Sequence, residues 1–294
     1  MTSLQRIFTP GDQWMYFKIY TGFKTADHLI TGIISPLVDH LLGNHIITKW
    51  FFIRYFDTGL HLRLRFLIAD TSKSYILIRL FNEALQEYIQ YDLVWRVQID
   101  TYQREIERYG VATMELSESL FFYDSQYFTE ILRIIQVGDT ETLRWLSVMA
   151  SIDYLLNDFS FNLQQKITFI SMVKENFSRE FGLENSRTQL SYKYRAHRKE
   201  VEGLLDAKEE KYHTIHHILE SRSKLQRPVV YNILQYTENS EKLNNLLSSY
   251  THMMINRWFC SNQRKYEAVV YDFLLKYFKS KAVFDHKEKT NDTP

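Results

Sequence analysis

The chain has 294 residues, with 36 Lys and Arg against 35 Asp and Glu, so its formal net charge is only +1. This balance argues against a protein that coats nucleic acid, which needs a clear excess of positive charge. A single cysteine excludes an intrachain disulfide, and only 9 glycines leave little room for glycine-rich phosphate loops.

The sequence shows no export or membrane signal. Its first residues, MTSLQRIFTPGDQW, lack the apolar segment of a signal peptide. No stretch approaches the roughly 18 uncharged apolar residues that a membrane-spanning helix needs. We therefore expect a cytoplasmic protein with no membrane partner.

The first hundred residues alternate between strand-like and helix-like patterns. The predicted strands are 14–20, 49–56, 61–68 and 93–102, and the predicted helices are 25–44 and 72–90. DTGL at 57–60 predicts the turn of a hairpin. The order βαββαβ predicts a ferredoxin-like arrangement, in which helices cover one sheet face and the other face can hold a ligand.

After residue 103 the pattern is almost wholly helical, which makes the predicted fold class α+β. The predicted helices are 125–138, 140–159, 164–182, 191–225, 241–259 and 266–280. We expect an α/β half over 1–110 and a helical half over 111–280, packed together as one structural unit. The polar residues 281–294 are expected to form a disordered tail.

The stretch HLRLRF at 61–66 places a row of basic side chains along one predicted strand. Because strand side chains alternate between faces, His61, Arg63 and Arg65 share one face and the intervening apolar residues point to the core. Neighbouring cations repel unless solvent or an anion compensates for them. The row is therefore either a solvated outer face or an anion site, where two guanidinium groups bind a carboxylate.

Two later pairs have helical spacing. Glu105 and Arg108, within DTYQREIERYG, are three residues apart and form either a surface ion pair or a unit that orients the arginine. His252 and Asn256, within SSYTHMMINRWF, are four residues apart among apolar residues. That setting is typical of a core histidine and also compatible with a catalytic one.

Two other patterns are better explained without a function. His213, His217 and Glu220 share a helical face at metal-ligand spacing, but their segment is rich in charge and lacks the HExxH order. Cys260 has no basic neighbour in sequence that would activate a thiol. We therefore expect neither a metal site nor a catalytic thiol.

Four stretches, in this order, resemble one protein family: WFFIRYFDTGLHLRLRF, DTYQREIERYG, ESLFFYDSQ and THMMINRWF. They are similar to the C-terminal elimination domain of class I lantibiotic dehydratases, which also occurs alone in thiopeptide-type bacteriocin biosynthesis proteins. The resemblance runs from about Trp14 to Ser280. Val111 stands where a second glycine often follows RYG, and Met254 where a histidine often follows HM, so the chain is a divergent member.

The resemblance implies a reaction. Full-length dehydratases transfer glutamate from glutamyl-tRNA to Ser or Thr of a precursor peptide, and the elimination domain then removes it to give dehydroalanine or dehydrobutyrine. This chain matches only the elimination domain, so the resemblance implies a separate glutamylating partner. It implies no direct nucleic-acid contact, no metal and no organic cofactor, and it is compatible with a homodimer.

The resemblance also assigns roles to residues. The residues that match the elimination motifs are Arg63, Arg65, Glu105, Arg108 and His252. The arginines are expected to bind the glutamyl carboxylate and to stabilise developing negative charge. His252 is expected to transfer a proton, since imidazole titrates near neutral pH. Glu105 is expected to position an arginine, and His61 to line the substrate pocket.

Two alternatives stay open. Some relatives of this family resemble pyridine synthases of thiopeptide pathways, which join two dehydroalanines in a formal cycloaddition and need no arginines to hold glutamate. The other alternative is a non-catalytic scaffold that binds the peptide or the glutamylating partner.

Overall fold

The structure is a computed structural model that describes residues 4–135, 140–181 and 187–291. The ends predicted for two helices, at 136–138 and at 182, and the last residues of the predicted tail lie outside these ranges. Contacts divide the chain into two units. One unit comprises Met1–Gly138 and Pro228–Ser261, and the other comprises Asp139–Arg227 and Asn262–Pro294.

The described elements confirm an α+β chain. The strands are β1 (Ile7–Phe8), β2 (Trp14–Thr21), β3 (Ile47–Phe56), β4 (Leu60–Ile68), β5 (Val94–Asp100) and β6 (Tyr102–Gln103). The helices are α1 (Phe23–His28), α2 (Ser35–Gly43), α3 (Ser74–Gln90), α4 (Ile106–Tyr109), α5 (Met114–Ile135), α6 (Thr140–Asp158), α7 (Leu163–Phe181), α8 (Arg187–Leu205), α9 (His213–Gln235), α10 (Ser240–Trp258) and α11 (Gln263–Asn291). A π-helical segment, Leu29–Ile34, joins α1 to α2.

The strands form two antiparallel sheets. The larger sheet has the order β3–β4–β2–β5, and β1 pairs with β6. The hairpin predicted over 49–68 is confirmed as β3 and β4, with Phe51 opposite Arg65. Helices connect β2 to β3 and β4 to β5, so the sheet is built from two helical crossovers and one hairpin.

The alternation predicted for HLRLRF is confirmed by the two faces of the larger sheet. Leu62, Leu64 and Phe66 are fully buried on one face, where the ring of Phe81 in α3 lies 5.7 Å from the ring of Phe66. Arg63 and Arg65 are half-buried on the opposite face. One face therefore belongs to the core, and the other is available for a site.

Helices from later in the chain pack against β3, which is an edge strand of the sheet. The hydroxyl of Ser125 in α5 accepts a hydrogen bond from the backbone N–H of Phe52 at 3.2 Å. Arg54 of β3, fully buried, donates from Nε to the carbonyl of Arg257 in α10 at 2.6 Å. Because α5 and α10 cover this edge, they belong to the unit that contains the sheet. The contacts therefore divide the chain at other positions than residue 110, where the sequence analysis placed the boundary between the two halves.

The second unit is helical, and it contains α6, α7, α8, residues 213–227 of α9, and α11. Its core includes Trp145 and Tyr194, whose rings lie 5.5 and 5.3 Å from the ring of Phe273. The prediction of one long helix over 191–225 is wrong, because this range contains parts of two separate helices, α8 and α9. Ala207 adopts a φ of 53° there, a left-handed conformation that ends a helix.

The last described helix is longer than the helix that the sequence predicted at 266–280. α11 continues to Asn291, into the segment predicted as a tail. In the three described ranges, every helix is too short or too polar to cross a membrane.

Candidate active site

One cavity in the first unit gathers the residues that the sequence singled out. Its volume is about 270 Å³, and Arg63 and Arg65 of β4 form one wall. Pockets for small molecules start at about 300 Å³, so this cavity suits a group of amino-acid size. The predicted site residues that line it are Arg63, Arg65, Glu105, Arg108 and His252.

Arg63 is held from three directions. Its Nε donates to Nε2 of His61 at 3.0 Å, and its guanidinium carbon lies 3.4 Å from the centroid of the Tyr55 ring. Its Nη2 is 3.8 Å from the carboxylate of Asp57. A guanidinium stacked on an aromatic ring and hydrogen-bonded at Nε has a fixed plane. Arg63 is therefore preorganised at the cavity wall.

His61, which was expected to line the substrate pocket, is not among the residues that line this cavity, and its ring contacts Arg63. Its side chain is fully buried, with the Tyr20 and Tyr55 rings at 4.6 and 5.6 Å. Nδ1 lies 3.0 Å from the carbonyl oxygen of Gly59. Because Nε2 accepts from Arg63, the proton must be on Nδ1 and the ring must be neutral. Burial lowers the pKa of His61, and the Arg63 guanidinium adds to this effect.

Arg65 lies deeper, among aromatic rings. Its guanidinium carbon is 4.6 Å from the ring of Tyr16, 5.0 Å from that of Tyr102 and 5.2 Å from that of Phe51. Its Nε and Nη1 atoms are buried and have no hydrogen-bond partner among the described residues. Buried polar groups are normally paired, so a ligand that brings an acceptor would satisfy these atoms.

Glu105 and Arg108 lie at the open end of the cavity. They form an ion pair at 3.2 Å, and their side chains are 60% and 47% exposed. The carbonyl of Glu105 accepts hydrogen bonds from the backbone N–H groups of Arg108 and Tyr109, which makes α4 a single turn. Gly110 ends that turn at a φ of 77°, where residues with a Cβ are strained. The turn brings Arg108 and Tyr109 to the same cavity.

His252 projects from α10, and a buried ion pair fixes that helix. Nε2 of His252 is 2.9 Å from Nδ2 of Asn256, one turn later. Arg257, which is fully buried, donates to the carboxylate of Asp124 at 2.6 Å and to the hydroxyl of Ser125 at 3.0 Å. The position of the imidazole is thus set by contacts between α10 and α5.

The cavity also contains residues that the sequence reasoning missed. Four of them carry polar groups: Tyr55, Tyr102, Gln103 and Tyr109. Tyr55 lies opposite His61 in the predicted hairpin, so the pairing register could have identified it. Tyr109 has no comparable signal, because its burial depends on stacking against Tyr250, with ring centroids 5.9 Å apart.

The weaker candidates lie elsewhere. His213, His217 and Glu220 are at the start of α9, in the second unit. The described part of the chain contains no group of three His, Cys, Asp or Glu residues suited to a metal ion. Cys260 is outside the cavity lining, and its Sγ lies 2.6 Å from Nη1 of Arg54, a basic neighbour that is distant in sequence.

Comparison with known sequences gives a consistent group of relatives. The family model described as lantibiotic biosynthesis dehydratase C-term matches residues 14–278. Subtilin biosynthesis protein SpaB of Bacillus subtilis is 28% identical over 191 residues, which cover 64% of this chain and 18% of SpaB. The chain therefore spans less than a fifth of the length of this relative.

Comparison with solved structures supports the same fold. The tRNA dependent lantibiotic dehydratase MibB from Microbispora sp. 107891 matches 93% of this chain and 29% of its own, with a TM-score of 0.72 and 20% identity. The pyridine synthase TbtD, from thiomuracin biosynthesis, matches 91% of this chain and 99% of its own, with a TM-score of 0.59 and 13% identity. Because the family model covers most of its length, this chain belongs to the lantibiotic biosynthesis dehydratase C-term family.

Proposed function

We propose that this chain eliminates glutamate from glutamylated Ser or Thr residues of a precursor peptide, to give dehydroalanine or dehydrobutyrine. One observation carries the proposal. Three arginines, a glutamate and a histidine, which come from separate parts of the sequence, line one cavity of about 270 Å³. Membership of a family of lantibiotic biosynthesis dehydratases supports it.

The proposed chemistry is a β-elimination. A base takes the α-proton of the modified residue, a double bond forms between Cα and Cβ, and the bond from Cβ to the ester oxygen breaks. Glutamate leaves with the bonding electrons as a carboxylate. The α-proton of a peptide is weakly acidic, so the reaction needs both a base and groups that stabilise negative charge on the enolate and the leaving group.

The cavity residues suit these roles. His252 is the proposed base, since its imidazole lines the same cavity as three guanidinium groups that can stabilise the anion formed when the proton leaves. Arg63 and Arg108 are proposed to stabilise the developing charge of the enolate and the departing carboxylate. Glu105, paired with Arg108, is proposed to hold that arginine at the cavity. The fixed plane of Arg63 favours such a role, because preorganised charge needs no reorganisation during the reaction.

The resemblance to full-length dehydratases extends the proposal to partners. We propose that a separate partner glutamylates the precursor peptide, and on the same ground we propose that this chain forms a homodimer.

We also infer that the sheet of the first unit, with its crossover helices, is ferredoxin-like. The strand order β3–β4–β2–β5 and the antiparallel pairing support this inference.

The test is elimination from a peptide that already carries a glutamyl ester, followed by mass spectrometry. Wild-type protein should convert the ester to the dehydrated peptide, whereas Arg63→Ala and Arg108→Ala should leave the ester intact. Arg79→Ala, at an exposed position of α3, is the matched control and should keep wild-type activity. Normal dehydration by both cavity variants would end the assignment of these arginines, and no dehydration by wild type would end the proposed function.

A second candidate is cycloaddition, because this chain covers almost all of the pyridine synthase TbtD. A pyridine synthase acts on a peptide that is already dehydrated, so the choice of substrate separates the two candidates. The paired arginines favour elimination, since two dehydroalanines offer no carboxylate for them to bind. Turnover of a dehydrated peptide, with none of a glutamyl ester, would favour cycloaddition.

A further inference from the structure

Several donor atoms near the cavity are buried and lack a hydrogen-bond partner in the described part of the chain. They are Nε and Nη1 of Arg65, the hydroxyl of Tyr109, and Nη2 of Arg257. Native proteins pair nearly all their buried donors, so a cluster of unpaired ones indicates a ligand that brings its own acceptors.

Two touching rings bring these donors together. The Phe51 and Phe121 rings are 5.4 Å apart, and both line the cavity. Arg65 lies 5.2 Å from the Phe51 ring. The Tyr109 ring and the Arg257 guanidinium lie 5.3 and 5.5 Å from the Phe121 ring. The donors therefore lie around two rings of the cavity lining, and we call this part of the cavity its closed end because the donor atoms there are buried.

Tyr109 is suited to donate its proton to an anion. It is 3% exposed and lines the cavity. The nearby guanidinium of Arg108 cannot accept the proton, because a guanidinium has no acceptor. Burial raises the pKa of Tyr109 to about 12, so the hydroxyl stays protonated at neutral pH. A phenol and a guanidinium together match the oxygens of a carboxylate.

The depth of the cavity separates two groups of residues. Arg65 and Tyr109 present buried donors at the closed end, whereas Glu105 and Arg108 are about half exposed at the open end. A polypeptide cannot enter a space of about 270 Å³. A group attached to a peptide side chain can therefore reach the closed end while the peptide backbone stays outside the cavity.

We propose that Arg65 and Tyr109 form the binding site for the free γ-carboxylate of the glutamyl group. Glutamyl-tRNA is an ester of the α-carboxyl group, so a glutamyl group transferred from it keeps its γ-carboxylate free, four bonds beyond the ester carbonyl. That carboxylate reaches the closed end when the ester lies near His252 and Arg108. Tyr109 then determines specificity for glutamate over acyl groups without a side-chain carboxylate. The inference rests on the proposed elimination activity.

The test combines two substrates with one conservative variant, Tyr109→Phe. One peptide carries a glutamyl ester, and the other carries a norvalyl ester, in which a methyl group replaces the carboxylate. For the glutamyl ester, Tyr109→Phe should lower kcat/KM by about ten- to a hundredfold, the range expected for losing one hydrogen bond to a charged group. For the norvalyl ester, which wild type should process poorly, the variant should change kcat/KM by less than about twofold, because no partner is lost.

Tyr250→Phe is the matched control. Tyr250 stacks on Tyr109, but its hydroxyl is hydrogen-bonded to Ser117 at 2.7 Å and it does not line the cavity. This variant should treat both esters as wild type does. Equal losses with both esters in Tyr109→Phe, or no loss with either, would overturn the inference and leave the elimination activity standing.

If wild type turns over neither ester, the proposed function is wrong. A binding measurement then tests the carboxylate site by itself. Glutarate carries the same carboxylate at the same distance from a second one. Wild type should bind glutarate in ligand-observed NMR, and Tyr109→Phe should bind it at least about tenfold more weakly. Equal binding by both proteins, or no binding by wild type, would overturn the carboxylate site itself.

Discussion

Arg63 donates a hydrogen bond from Nε to Nε2 of His61, two residues earlier on the same strand, at 3.0 Å. The other ring nitrogen of His61 faces the carbonyl oxygen of Gly59 at 3.0 Å. Only the neutral ring with its proton on Nδ1 satisfies both contacts. The orientation of an arginine in the cavity thus depends on a residue that does not reach the cavity.

We expect His61 to act as a positioning residue for Arg63, and two substitutions test this expectation. His61→Gln keeps an acceptor near Nε2, whereas His61→Leu removes it and leaves the Arg63 Nε–H unpaired. We expect elimination by His61→Leu to fall by about tenfold, the effect of one lost hydrogen bond, with most of the loss restored in His61→Gln. Steady-state kinetics on a glutamyl-ester peptide measure this, and equal activity of the two variants would contradict it.

The same residue gives a pH dependence of stability. Burial lowers the pKa of His61 below the value near 6.5 that it has in an unfolded chain, while its contact with Gly59 and the Asp57 carboxylate oppose the shift. Between the two pKa values the unfolded chain binds more protons. The stabilisation is therefore complete above about pH 6.5 and is lost as the pH falls through the folded-state pKa.

Urea denaturation between pH 5 and pH 8 measures this effect by comparing wild type with His61→Gln. Other titrating groups contribute to both proteins alike, so the difference in unfolding midpoint isolates His61. The midpoint of wild type should fall relative to the variant as the solution is acidified. A difference that stays constant across this range would show that His61 does not titrate differently in the two states.

The ion pair between Asp124 and Arg257 should matter more for stability than any exposed pair. Both side chains are buried, at 2.6 Å. Asp124→Ala leaves a buried guanidinium without its counter-ion, which we expect to lower the free energy of unfolding by about 3–5 kcal/mol. Glu83→Ala, which removes an exposed pair with Arg79 on α3, should cost less than about 1 kcal/mol. Similar urea midpoints for the two variants would refute this ranking.

Gly110 should not tolerate a side chain. Its φ of 77° is unfavourable for other residues, and an added Cβ would lie 3.1 Å from Oγ1 of Thr113. Gly110→Ala should cost about 1–3 kcal/mol and should also lower elimination, because α4 carries Arg108. Gly43→Ala is the control, since that position in α2 has open space and needs no positive φ. Thermal melts and activity assays compare the two variants. Equal melting temperatures and equal elimination rates would contradict this prediction.

Much of the sheet could be predicted from the sequence, because its signals are local. The period-two pattern of 61–66 identified both the strand and the face that carries Arg63 and Arg65. The same logic failed for the break between α8 and α9, since Asp206–Glu209 contain neither glycine nor proline. Ala207 adopts a left-handed conformation there, although alanine is not a residue type that predicts one.

The site could be predicted only in part, for a physical reason. Motifs supplied Arg63, Arg108 and His252, but which atoms meet is decided by tertiary packing. His61 shares a strand face with Arg63, yet two tyrosine rings enclose it and keep it from the cavity. Tyr109 becomes a cavity donor because α4 is one turn long and ends at Gly110, a geometry that spacing alone does not define.

The hydrogen bond from Arg54 to the carbonyl of Arg257 joins residues that are 203 positions apart in the chain. A ribosome completes the sheet long before it synthesises α10, and domains fold progressively as the chain emerges. Until α10 docks, α5 covers the β3 edge without it, and the Arg54 guanidinium lacks the carbonyl of Arg257 as its hydrogen-bond acceptor. Contacts so distant in sequence also slow folding. His252 is thus among the last of the cavity residues to be synthesised, and the cavity cannot be complete before α10 emerges from the ribosome.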